Sequence, residues 1–200
     1  MSEFSQDLEN FHASIRDCQK CALAAGRTQV VCGHGNLHAE IMFVGEAPGY
    51  YEDRAGIPFV GAAGKLLDRL LEEIGLQRAA IFIANVVKCR PPQNRDPRPE
   101  EVEACQPYLF HQIALIKPRV ICTLGNFATQ LLLGKKVGIT KVRGQPFQVK
   151  DHFVFPMLHP AAALHREQFQ EAVREDFQRL RAFLDQKRQP TPTSEQMPLL

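Results

Sequence analysis

Apolar residues along this chain fall into two kinds of run. Leu8, Phe11 and Ile15 share one helical face within residues 3–17, and Leu66, Leu67, Leu70, Leu71 and Ile74 repeat that spacing before a stop at Gly75. Pro99 suits a first helical position and Glu100 and Glu101 the positive end of a helix dipole. After them Val102, Cys105, Leu109, Ile113 and Ile116 line one face. A short helix is expected over 125–133, and Phe169, Val173, Phe177, Leu180 and Leu184 form the inward face of a last one over 167–186. Between these lie nearly continuous apolar runs at 41–44, 81–87, 120–124 and 153–158, the pattern of strands buried on both faces. A β-prone triplet at 30–32 closes in a Gly/Asn turn, and 142–149 reads as a hairpin. Strand alternating with helix predicts an α/β fold: a three-layer α/β/α domain with a central, mostly parallel four-stranded sheet.

In such sheets ligands bind beyond the carboxyl ends of the strands. Those loops are expected at 45–61, 88–98, 125–126 and 159–166, and they hold most of the unusual residues. The first runs Gly45-Glu46-Ala47-Pro48-Gly49-Tyr50-Tyr51-Glu52-Asp53 to Pro58-Phe59-Val60-Gly61, rich in glycine and carboxylates. The second, Cys89-Arg90-Pro91-Pro92-Gln93-Asn94-Arg95-Asp96-Pro97-Arg98-Pro99, is stiffened by proline and carries three arginines.

Composition narrows the reading without naming it. Two hundred residues at 44% hydrophobic content suffice for one domain, expected over 1–186, with a disordered tail over 187–200. Lys+Arg 24 against Asp+Glu 22 leaves a formal charge of +2, so an anionic partner must be held by a local patch. With no apolar run of membrane-spanning length and no export-type N-terminus, a cytoplasmic protein is expected. Its six cysteines then read as thiols or metal ligands. Cys18-x2-Cys21 with the distant Cys89 and Cys105 suits an iron–sulfur cluster or zinc, and the wide second gap favours a cluster. Cys32 and Cys122 sit in apolar runs and read as buried hydrophobes.

Four polar or aromatic positions stand at strand ends. Glu46 is either a catalytic carboxylate or a partner for loop amides, and Phe59 either a stacking platform or a core plug. Asn85 ends an apolar strand, where an amide is costly unless partnered; such an amide can read the edge of a base. His159, before Pro160, is placed to donate to a developing anion or to cap a turn. Arg90, Arg95 and Arg98 are either phosphate contacts or solvated charges.

Together these motifs closely resemble the family 4 uracil-DNA glycosylases, the iron–sulfur type. The resemblance rests on Gly45-Glu46-Ala47-Pro48-Gly49, Gly61, Asn85 with Val86-Val87-Lys88-Cys89-Arg90-Pro91-Pro92, His159-Pro160, and the four cysteines. Family 5 enzymes carry an apolar residue where this chain has Glu46, which favours family 4. The resemblance implies hydrolysis of the uracil N-glycosidic bond to start base excision repair, acting on uracil-containing single- or double-stranded DNA. It assigns a [4Fe-4S] cluster to Cys18, Cys21, Cys89 and Cys105, stacking to Phe59, uracil-edge pairing to Asn85 and an O2 contact to the Ala47 amide. His159 and Glu46 become the catalytic pair, Glu52 the group that excludes the thymine methyl, and Asn94 a support for the loop or the site. Arg90, Arg95, Arg98, Leu164 and Arg166 face DNA, with Leu164 as a wedge. At position 98 the resemblance leads one to expect a Thr-like helix cap, an oxygen that Arg98 lacks. The end, Gln196-Met197-Pro198-Leu199-Leu200, resembles the Gln-x-x-Leu-type peptides that dock on the sliding clamp; otherwise it is a solvated end. A monomer is expected. The alternative reading is a non-catalytic iron–sulfur protein of the same fold that binds DNA or senses redox state, and a zinc-stabilised glycosylase is a milder variant.

Overall fold

The computed structural model describes residues 3–188. Among these, β1 (His34–Gly35), β2 (Ile41–Gly45), β3 (Phe82–Asn85), β4 (Val120–Leu124), β5 (Phe147–Val149) and β6 (His152–Met157) form one sheet, ordered β1-β3-β2-β4-β6-β5. The inner four strands are parallel; β1 and β5 lie antiparallel at the edges. The four strands expected from the apolar runs are therefore the middle of a six-stranded sheet. The edge strands are two and three residues long, too short for alternation to be read, and β1 lies just past the triplet 30–32.

Helices α1 (Glu3–Ile15), α4 (Pro99–Ile116) and α5 (Asn126–Leu133) cover one face, and α3 (Ala62–Glu73) and α8 (Gln170–Arg188) the other. Successive strand side chains enter opposite layers. Ile41 and Phe43 pack with Leu67, Leu71, Phe177 and Leu180, whereas Met42 and Val44 pack with Leu8, Leu109 and Ala128. Both faces are dry, which is why these strands read as unbroken apolar runs.

Three local expectations are corrected. Ile139–Val142 is a single turn of helix, α6, so the hairpin is β5–β6 around Lys150 and Asp151 and does not begin at Val142. The segment after His159 is not a loop but helix α7 (Pro160–His165), started by a proline that needs no N–H partner. Helix α8 continues through Arg188, two residues past the helix end expected at 186. The clamp-like peptide at 196–200 lies outside the described residues.

Candidate active site and thiol cavity

Gly45 and Asn85 are register partners at the ends of β2 and β3. The pairing runs on past them: the Val86 N–H donates to the Gly45 carbonyl at 2.9 Å and the Val87 N–H to the Glu46 carbonyl at 3.0 Å. Asn85 is thus fixed by its backbone, yet its buried Oδ1 has no hydrogen-bond partner. A buried acceptor left unpaired costs about 1–3 kcal/mol, so this oxygen is suited to a donor the fold does not supply. Gly45 is glycine for a steric reason. A Cβ there would lie 2.5 Å from Asn85 Oδ1 and 2.8 Å from the Phe59 ring.

Phe59 reaches the site from the loop between α2 (Tyr50–Ala55) and α3. Its φ of 55° is uncommon for an aromatic residue, and Glu52 holds the turn. One oxygen, Glu52 Oε1, accepts from the Val60 and Gly61 amides, both at 2.9 Å. The Phe59 ring stacks on His159 with centroids 5.4 Å apart and planes 27° from parallel.

His159 follows β6. The Ala161 N–H donates to His159 Nδ1 at 3.1 Å, so in the neutral ring the proton sits on Nε2. Burial pushes the imidazole down to about 4, against the opposing pull of the Glu52 charge. Near pH 7 the ring is therefore neutral and offers Nε2–H as a donor. The strand end before it is held by Asp176 of α8, whose buried carboxylate accepts from the Leu158 N–H at 2.8 Å and pairs with Arg143 at 3.0 Å. Glu46, half-buried beyond Gly45, is pushed up to about 7, first by burial and second by the charge of Asp96. Ala47 follows it, with its side chain packed against the α1, α4 and α5 layer.

The proline–arginine loop divides its cations. Arg90 donates from Nε to Asn94 Oδ1 at 2.7 Å and lies over the exposed Tyr50 ring, 5.1 Å from its centroid. Arg54 approaches Tyr50 too, bonding the hydroxyl at 3.1 Å. Arg95, expected to face phosphate, forms a bidentate pair with Glu101 of α4 at 2.8 and 2.7 Å, and Glu101 is fully buried. Glu101 also accepts from the Arg98 N–H at 2.8 Å, so the missing cap at Arg98 is replaced by a carboxylate reaching back from the third helical position. That leaves the Arg98 side chain exposed. Leu164 on α7 is exposed as well, and Arg166 lies over the Phe169 ring.

Behind this loop the four thiols of Cys18, Cys21, Cys89 and Cys105 line one small cavity, with Arg27, Lys88 and Tyr108. Donors surround the sulfurs. The Lys88 N–H bonds Cys105 Sγ at 3.2 Å, Arg27 approaches Cys89 Sγ at 3.7 Å, and the Tyr108 hydroxyl lies 3.2 Å from Cys18 Sγ. Burial pushes the Cys89 thiol up to about 12 and raises Cys105. Among the described residues no group of three or more such side chains is gathered tightly enough to hold a single metal ion. An all-sulfur donor set with N–H and O–H groups aimed at the sulfurs fits an iron–sulfur cluster. Cys32 and Cys122 are buried apart from it, as small hydrophobes.

Residues 32–181 match the model of the uracil DNA glycosylase superfamily. The type-4 uracil-DNA glycosylase of Sulfurisphaera tokodaii is 49% identical over 183 residues, covering 87% of this chain and 83% of the relative. That of Archaeoglobus fulgidus is 46% identical over 93% of this chain and 97% of its own, and that of Thermotoga maritima 47% identical over 85% and 91%. This chain belongs to the type-4 uracil-DNA glycosylase family.

For a type-4 glycosylase chain, the structure brings Glu46, Glu52, Phe59, Asn85 and His159 to one end of the sheet, as their positions after strands led one to expect. Two buried polar groups behind the site were missed. Lys88, fully buried, donates from Nζ to the Asn85 carbonyl at 2.9 Å and to Gln112 Oε1 at 2.6 Å. Burial lowers its ammonium to about 8. Asp176 went unnamed within the helix expected over 167–186. The legible signal was, for Lys88, a charge directly after an apolar run and, for Asp176, a charge beside Val173 and Phe177 on the inward side of the last helix.

Proposed function

We propose that this protein removes uracil from DNA by hydrolysing its N-glycosidic bond, leaving an abasic site for base excision repair. The observation that carries the reading is the buried, unpaired Oδ1 of Asn85 beside the Phe59 ring. Uracil presents a donor at N3 and an acceptor at O4, and a carboxamide is the complement of that pair. Cytosine has no proton on N3 and an amino group at position 4, so the same amide meets it acceptor to acceptor and donor to donor. Such an edge is hidden in a duplex, so the nucleotide must be flipped out, at a cost of a few kcal/mol.

Bond cleavage places positive charge on the sugar and negative charge on the base. Two groups suit these charges. The neutral His159 directs its Nε2–H toward a leaving uracil anion without carrying a charge that must be desolvated. Glu46 as a carboxylate supports the sugar cation or orients the attacking water, and the Ala47 amide meets O2. Phe59 stacks on the base. Glu52 fixes the Phe59 turn and stands where a methyl on C5 would be crowded out. Asn94, bonded to Arg90, supports the loop.

Cys18, Cys21, Cys89 and Cys105 would hold a [4Fe-4S] cluster, which contributes structure and no base chemistry. These ligands tie the segment between Cys89 and Cys105 to the sheet, so that Arg90 and Arg98 present toward phosphate. Arg166 extends the same basic edge and Leu164 supplies the wedge of α7; Arg95 secures α4 instead. The protein acts as a cytoplasmic monomer, and Gln196-Met197-Pro198-Leu199-Leu200 serves as a sliding-clamp peptide. Among the described residues no helix is long and apolar enough to cross a membrane.

Uracil release by Asn85→Ala and His159→Ala tests the assignment. Each is expected to lose about a hundredfold or more in rate while keeping the brown colour of the cluster. Full rate in either variant removes that residue from the mechanism.

A further inference from the structure

Resting on the glycosylase reading, we propose that Lys88 is the positioning residue for Asn85: with Gln112 it replaces a missing rung of the sheet and so holds the base-reading amide in place. The edge strand β1 pairs His34 with Ile83 and Gly35 with Phe82. Two residues further along that antiparallel register, Cys32 stands opposite Asn85, but the ladder has already ended. Two side chains fill the gap. Gln112 of α4 donates from Nε2 to the Cys32 carbonyl at 2.7 Å, its Oε1 accepts from Lys88 Nζ at 2.6 Å, and Lys88 Nζ also donates to the Asn85 carbonyl at 2.9 Å. The same Gln112 amide lies 2.7 Å from His12 Nε2, which anchors the bridge to α1. Gly33 leaves room for it, since a Cβ there would come within 3.2 Å of Gln112 Nε2.

The placement is costly, and that points to use. Both oxygens that Lys88 Nζ bonds belong to neutral amides, and burying a cation without a carboxylate partner is expensive. An apolar side chain at position 88 would leave the Asn85 carbonyl unbonded on its edge side. The Asn85 side chain has no bond to its own Oδ1 to orient it, so its aim follows from the peptide plane that Lys88 grips. Through its backbone Lys88 is equally well fixed: the Val31 N–H donates to its carbonyl at 2.8 Å, and its own N–H bonds Cys105 Sγ. One residue thus joins the thiol cavity to the base pocket.

Binding of free uracil, read by calorimetry on the full cluster-loaded chain, tests this. Lys88→Met keeps an unbranched side chain one atom shorter and removes its donors. It is expected to weaken uracil binding about tenfold, to leave affinity for abasic-site DNA and the brown colour unchanged, and to lower kcat for uracil release more than it changes KM. In an Asn85→Ala background the same substitution should have no further effect on uracil binding, because Lys88 acts through Asn85. Wild-type uracil affinity in Lys88→Met, or a full additional loss in the Asn85→Ala background, overturns the proposal. If Lys88→Met is colourless or fails to fold, Gln112→Met carries the test. It loosens the bridge while keeping Lys88, and about threefold weaker uracil binding is expected, again absent in Asn85→Ala; unchanged binding overturns the proposal. Wild-type protein that binds uracil but releases none from DNA counts against the glycosylase reading and not against the role of Lys88.

Discussion

Glu46 and His159 stand at the same end of the sheet with their ordinary titration ranges nearly exchanged: burial raises the carboxyl to about 7 and lowers the imidazole to about 4. The sign of the pH dependence follows. Glu46 must be ionised to support a sugar cation, so the rate should rise with pH through about 7 and level off above it. His159 is already neutral there and adds no limb near neutrality. A kcat/KM profile for uracil release checks this, and a limb near 4.5, the ordinary carboxyl value, would contradict it. Asp96→Asn removes the like charge that contributes to the shift, so its acid limb should move to lower pH while the plateau rate stays near wild type.

Elements hold these residues in place through small, specific devices. Glu52→Ala leaves the half-buried Val60 and Gly61 amides without their acceptor, costing about 1 kcal/mol each, and frees the turn that presents Phe59. Lowered thermal stability together with weakened uracil binding is expected; an unchanged melting temperature would show the brace to be idle. Cys89→Ala should remove the brown colour and much of the soluble protein, because the thiol cavity is the tie between the arginine loop, α1 and α4. Absorbance and sedimentation read both. What was legible at this scale followed burial. The runs at 41–44 and 120–124 became β2 and β4 because strands covered on both faces are nearly all apolar, the one hydroxyl, Thr123, being bonded to Thr129. Val142 misled because an apolar β-branched residue suits a buried helical turn as well as a strand. The helix after His159 hid behind Pro160, which marks a loop and a helix start alike.

For the whole molecule, parallel topology delivers the ends of β2, β3, β4 and β6 to one edge, so residues far apart in sequence meet there without long loops. This is why the meeting of Glu46, Asn85 and His159 at one end of the sheet was legible from their positions after strands, and why their partners were not. The bridge from His12 through Gln112 to Lys88 joins residues a hundred apart in sequence, a proximity that no local pattern encodes. The Arg95–Glu101 pair was hidden for the same reason: a loop arginine and a buried helix-start carboxylate meet only once the loop is folded over α4. The account as a whole stands on one reaction. An oligonucleotide carrying a single labelled uracil, incubated with the protein and then cleaved with alkali, should break at the uracil alone, while its thymine and cytosine counterparts stay intact. An intact uracil strand after incubation with cluster-loaded protein would contradict the account and favour a protein that binds DNA without acting on it.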